Sequence, residues 1–284
     1  MTISNQFNIP SKIMEMSMKG SVEKATMPLG KMILLGIMAG AFIALGGATS
    51  NTAVHSIANV GLARTLAGCI FPVGLMMIVF VGGELFTGNC LISMALLDRR
   101  IRFGQFIRNL AVVYFSNLLG ALLVVVLLYF SGNLDYTDGL LGAYTIKVMM
   151  GKVAITPIKG FTSGILCYVL VCIAIFMATA ATDIAGKVWA IFFPIMAFVV
   201  GGFEHCVANM FYIPAGLLAA QNPEYVQKAV EVYGMSAENI QSLNVGDVLQ
   251  NMIPVTIGNV IGGVSVGLVC YVIYVKKWTN LQKC

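Results

Sequence analysis

The sequence predicts an all-α integral membrane protein, a single domain of six transmembrane helices in an inverted 3+3 repeat, with the second and fifth helices broken at mid-membrane. Three observations predict it. Of 284 residues, 58% are hydrophobic and only 10% charged, with mean hydropathy +0.88, whereas a soluble domain carries about 25% charged residues. Six apolar stretches, about 31–51, 64–98, 105–130, 160–182, 187–220 and 250–275, are long enough for a bilayer, which takes roughly 20 residues. The second and fifth run to roughly 35 residues, more than a straight span needs. Each has a similar polar interruption near its middle, "VGGELFTGN" at 81–89 and "VGGFEHCVAN" at 200–209.

Ahead of the first span, residues 1–30 hold Lys12, Glu15, Lys19, Glu23 and Lys24 and no apolar core of signal-peptide length, so no cleaved leader is expected. The stretch "SKIMEMSMKGSVEKA" predicts a short amphipathic helix lying at the membrane surface. With six spans both termini share a side. Lys12, Lys19, Lys24 and Lys31, then "DRRIR" at 98–102, Lys187, and Lys276, Lys277 and Lys283 all fall on that side, which the positive-inside rule assigns to the cytoplasm. The longest opposite loop, about 222–249, carries Glu224, Glu231, Glu238 and Asp247. The net charge of +5 is thus spent on topology, and no basic patch with interleaved aromatics suggests a nucleic-acid partner. Seven cysteines, six of them in apolar segments, lack CxxC spacing and a histidine cluster. They predict structural thiols, with no metal and no cofactor.

The two interruptions share a Val-Gly-Gly, a glutamate and a closing asparagine, and the helices that follow also correspond, "SNLLGALLVVV" at 116–126 against "GNVIGGVSVGL" at 258–268. This reads as a duplication of 31–130 in 160–275. A three-span unit repeated once must insert upside down, giving a twofold axis in the membrane plane. Breaking a helix in hydrocarbon leaves backbone groups that cost several kcal/mol each unless protein or water satisfies them. Gly82, Gly83, Gly201 and Gly202 are therefore expected to make breaks that line a passage.

His205 is one of two histidines, and the other, His55, falls in a short loop. An ionisable side chain at membrane depth marks a functional site by default. Desolvation opposes the imidazolium and a nearby anion favours it, so the ring can act as a conditional proton donor. Glu84 and Glu204 occupy matching places, and a carboxylate there can accept from freed N–H groups at a half-helix start. Asn89 and Asn209 can cap in the same way, or face the passage. Thr87, the one hydroxyl of the first break, is within plausible reach of His205 across the axis. Phe71, Leu75, Leu85, Phe86 and Phe198 pack the core or form a constriction. Lys147, Lys152 and Lys159, on the exterior side, are either solvated or draw anions to the mouth. An intramembrane enzyme is disfavoured: Glu204 and His205 are adjacent, so on a helix they point about 100° apart.

"GGELFTGN", "GGFEHCVANMFYIP" and "NMIPVTIGNVIGG" (251–263) resemble the formate/nitrite transporter family over nearly the whole chain. The resemblance implies an aquaporin-like fold in a homopentamer with one passage per protomer, in the lipid of a bacterial cytoplasmic membrane. By motif, His205 matches the family's central histidine, Asn209 the asparagine after it, Thr87 the threonine of the first break, and Lys152 the exterior lysine. Phe71, Leu75, Leu85, Phe86 and Phe198 fall at its constriction positions, and the resemblance makes the N-terminal helix a candidate pH-dependent gate at the cytoplasmic mouth. The expected cargo is a small monovalent weak-acid anion, formate first, since "HCVANMFYIP" looks more like the formate type. Nitrite, hydrosulfide, lactate or acetate are alternatives within the family. A neutral-solute channel of the water or glycerol type would carry Asn-Pro-Ala, which neither break has.

Overall fold

The computed structural model describes residues 7–276, so Lys277, Lys283 and Cys284 lie outside the described residues. The chain opens with α1 (Pro10–Ala25), which has proline at its first position, where a missing N–H costs nothing. Its buried residues Ile13, Met14, Met18, Ser21 and Ala25 recur at helical spacing. The expected surface helix is present, but this face is turned onto the protein, against the helices below the first break, and not onto lipid. Asn8 ties the segment down, donating through its backbone to Ala180 O at 2.8 Å and through its amide to Thr179 O at 2.9 Å.

The first span is α2 (Leu29–Val54). The second is built of α3 (Val60–Ile70) and α4 (Val73–Val81), separated where Pro72 cannot donate to the helical ladder. After the extended break come α5 (Phe86–Asn89), a 3-10 turn at Cys90–Ile92 and α6 (Ser93–Leu97). The third span is α7 (Phe103–Phe130). A shorter helix, α8 (Leu140–Val153), leads to the fourth span, α9 (Pro157–Ala180). The broken fifth consists of α10 (Ile184–Gly201) and α11 (Cys206–Ala219). Two short helices, α12 (Pro223–Tyr233) and α13 (Ala237–Gln241), precede α14 (Val245–Cys270), which ends in a π-helical turn at Tyr271–Val275. Six helical stretches among the described residues are long and apolar enough to cross a membrane.

The repeat is visible in packing, because α2 pairs with α7 as α9 pairs with α14. Helices α8, α12 and α13 occupy segments that read as loops. Charge and polarity in a connecting segment do not exclude a short helix that buries one stripe: Tyr225, Val226 and Ala229 of α12 are buried, and the helix packs on α8. His55 likewise caps the end of α2, its ring bridging Thr52 O at 2.7 Å and Thr137 Oγ1 at 2.8 Å.

Candidate functional site

Both breaks turn on a glycine in a backbone region that side chains avoid. Gly82 ends α4 at φ 102° and Gly202 ends α10 at φ 68°, where its N–H satisfies carbonyls of the last turn. Gly83 lies in the extended stretch, and Gly201 is the last helical residue of α10.

The freed backbone groups find their partners on the neighbouring helix. Asn117 of α7 accepts from Phe86 N at 2.9 Å and donates to Gly36 O at 2.8 Å and Glu84 O at 2.9 Å. Asn259 of α14 does the same in the second repeat, accepting from Cys206 N at 2.8 Å and donating to Gly164 O and Glu204 O, both at 2.9 Å. The expected capping by Glu84, Glu204, Asn89 and Asn209 is thereby corrected. An asparagine has both an acceptor and donors, so one side chain satisfies an N–H and two carbonyls, which a carboxylate cannot.

The glutamates instead anchor two matching polar clusters. Glu84 holds the ammonium of Lys24 at 2.7 Å and the amide of Asn89 at 2.7 Å, while Asn89 also donates to Asn109 at 2.8 Å and Asn109 to Lys24 O at 3.0 Å. Glu204 holds Lys152 at 2.6 Å and Asn209 at 2.7 Å, while Asn209 donates to Asn251 at 2.8 Å and Asn251 to Lys152 O at 2.9 Å. Both glutamates are nearly inaccessible, 4% and 2% exposed, so the paired lysine is what lets each carboxylate stay in the core. In both cases the lysine comes from a helix outside the six spans, α1 or α8.

A vestibule of about 790 Å³ opens on the second break. Its lining includes Arg64, Lys147 and Lys152, with Glu204 as the one carboxylate. Lys159, exposed in the first turn of α9, is not part of it. Phe71, Phe198 and His205 share the lining, each at most 4% exposed. The two phenylalanine rings meet edge to face at 5.4 Å, and Phe198 stacks 5.9 Å from the imidazole, whose other neighbour is Tyr168 at 6.5 Å. Leu75, Leu85 and Phe86 are buried outside this lining, Phe86 against Tyr114 at 4.9 Å. At the rim, burial pushes the phenols of Tyr144 and Tyr233 above their usual value, with the Arg64 charge acting against this at Tyr144. Both remain neutral.

His205 is the N-cap of α11, and its Nδ1 accepts from Ala208 N at 3.1 Å. That donor fits the neutral ring with its proton on Nε2. The hydrogen bond expected from Thr87 to His205 does not form: the Thr87 hydroxyl is fully buried without a partner, as is the Asn209 amide oxygen. Orphaned buried polar atoms of this kind are unusual, and each calls for an explanation, of which a partner that is present only in passage is one.

Sequence reasoning missed Lys24, Asn109, Asn251 and Arg64, and used Asn117 and Asn259 only to align the repeats. A signal was present: Asn109 and Asn251 stand eight residues before Asn117 and Asn259 in the two copies.

Two broken helices related by an axis in the membrane plane, with a cation-lined vestibule reaching a buried histidine, define a membrane channel or transporter for small solutes. The model of the family described as formate/nitrite transporter matches residues 11–273, and the chain belongs to that family. It is 35% identical over 285 residues to the formate channel FocA of Escherichia coli (strain K12), covering 98% of this chain and 99% of that one. It is 37% identical to a probable formate transporter of Methanothermobacter thermautotrophicus, over 90% of this chain and 92% of the relative. A solved pentameric formate channel with formate bound superposes with a TM-score of 0.78 at 33% identity, covering 87% of this chain and 98% of that one.

Proposed function

We propose that this protein carries small monovalent weak-acid anions, formate foremost, across the cytoplasmic membrane together with protons, as a homopentamer with a separate passage in each protomer. The observation that carries the reading is the vestibule, where a wall of three cations leads to the apolar pair Phe71 and Phe198 and to His205. The basic residues of α1, the 98–102 segment and Lys187 put that end of the protein in the cytoplasm, so the vestibule faces outward. The repeat units of 31–130 and 160–275 set the two breaks back to back.

An anion entering a dry constriction loses its hydration at high cost, and the conjugate acid loses far less. Lys152, fixed by Glu204, gives the anion a cation to approach. Between Phe71 and Phe198 its proton affinity rises as water is stripped away. A neutral imidazole that released its Nε2 proton would become an imidazolate. The proton therefore comes from the exterior solution: a hydronium delivered along vestibule water held on the Nε2–H gives its proton to the anion and remains as water, and the Ala208 bond stays intact. The acid then passes Thr87, whose free hydroxyl is available to it, and the apolar side chains Leu75, Leu85 and Phe86. It ionises on the other side, near the mouth that α1 gates.

The test is uptake of labelled formate into proteoliposomes with internal pH recorded. Formate is expected to enter with protons, reversibly and faster under an inward proton gradient. Uptake that ignores the pH gradient, or swelling by glycerol in its place, would return the protein to the neutral-solute class. Nitrite, hydrosulfide, lactate and acetate then serve as competitors to rank the cargo.

A further inference from the structure

Lys152 is the vestibule cation that family motifs single out, yet its ammonium sits 2.6 Å from the Glu204 carboxylate, so viewed from the mouth much of the pair's charge cancels. Lys147 rests on aromatic faces, 4.4 Å from the Tyr233 centroid and 5.7 Å from that of Tyr144. Arg64 is differently placed. It projects exposed from α3 into the same lining and makes one hydrogen bond, from Nη1 to Val200 O at 3.3 Å, at the C-terminal end of α10. Among the described residues no carboxylate lies within ion-pair distance of it. A guanidinium presents five donors in a planar fork, so most of this one stays free. Its guanidinium lies against the turn of the second break, Nη1 being the atom that a Cβ on Gly202 would meet first.

We propose that Arg64 forms an outer station in the vestibule that captures a monovalent carboxylate or similar oxyanion before it reaches Lys152 and His205. The proposal rests on the transport reading above and names where that cargo first binds. A planar fork suits the two oxygens of a carboxylate, and a cation in a walled vestibule concentrates anions and makes entry depend on ionic strength.

The experiment measures initial rates of labelled formate uptake into proteoliposomes for wild type, Arg64→Gln and Arg64→Lys over a series of ionic strengths. Arg64→Gln is expected to raise KM about tenfold at low salt, with a smaller effect on maximal rate, and to flatten the salt dependence. Arg64→Lys should keep that dependence. As a check that needs no glutamine variant, a sulfonated phenylglyoxal added on the vestibule side should block wild-type uptake, excess formate should slow the block, and Arg64→Lys should resist it. Wild type that moves formate beside an Arg64→Gln protein with the same KM and salt profile overturns the proposal alone. So does a reagent that inhibits wild type and Arg64→Lys equally. Wild type that moves no formate removes the transport reading and this inference together.

Discussion

Replacing Asn259 with leucine is expected to cost a large part of the protein's stability. The side chain is fully buried, and leucine fills a similar volume but leaves Cys206 N, Gly164 O and Glu204 O without the partners they now have at 2.8–2.9 Å. Each abandoned buried group costs about 1–3 kcal/mol, and no bulk water reaches mid-membrane to relieve it. A loss of roughly 3 kcal/mol or more is a large part of a total near 5–15 kcal/mol. The readout is the yield of assembled protein by size-exclusion chromatography and its melting temperature in detergent. Asn117→Leu should behave alike, because Asn117 serves the first break in the same way. A leucine variant at either position that assembles and melts like wild type would show that the breaks are held by something else.

The second large effect is expected at Glu204. Removing one member of a buried ion pair costs about 3–5 kcal/mol because the other charge is left behind. Glu204→Ala also strips the carboxylate from the Asn209 and Asn251 amides. The Lys152 side chain is 18% exposed, so vestibule water softens the loss toward the lower end of that range. Glu204→Gln should be milder in stability, since its amide oxygen still accepts from Asn209. It frees the full charge of Lys152, so KM for formate at low ionic strength should fall while the melting temperature drops. An unchanged melting temperature in Glu204→Ala would mean that the pair contributes little to the fold.

Six spans, two breaks and the inverted repeat were legible because bilayer thickness and the cost of unpaired backbone leave so few solutions. The spans start two to five residues earlier than composition suggests, since polar caps such as Asp183 and Asn244 belong to the helices they begin. His205 and Asn209 were legible as polar residues at membrane depth, and Lys152, read as one of three exterior lysines, was singled out by its motif. What each touches was not. Whether Glu204 caps a helix or pairs with Lys152 depends on which side chain the packing brings first to the freed N–H, and Asn259, 53 residues away in sequence, reaches Cys206 N. Lys24 looked like part of a surface helix because its partner, Glu84, is 60 residues distant. Arg64 carried no signal, since one arginine at the start of an apolar stretch also reads as a snorkelling anchor.

The most direct test of the account is the number of protons that accompany each formate ion into proteoliposomes, compared between wild type and His205→Leu. Leucine is close to histidine in volume and leaves the passage open, but it removes the Nε2–H that holds the water and the anion. A hydrogen bond to a charged group contributes about 1.5–3 kcal/mol, so coupled uptake should fall roughly 10- to 100-fold. The lost cap on Ala208 N should cost only about 1 kcal/mol of stability. The account predicts about one proton per formate in wild type, the stoichiometry of the neutral acid crossing, and coupled uptake reduced by at least about tenfold in the variant. Coupled uptake that survives in His205→Leu at the wild-type rate and stoichiometry would contradict it.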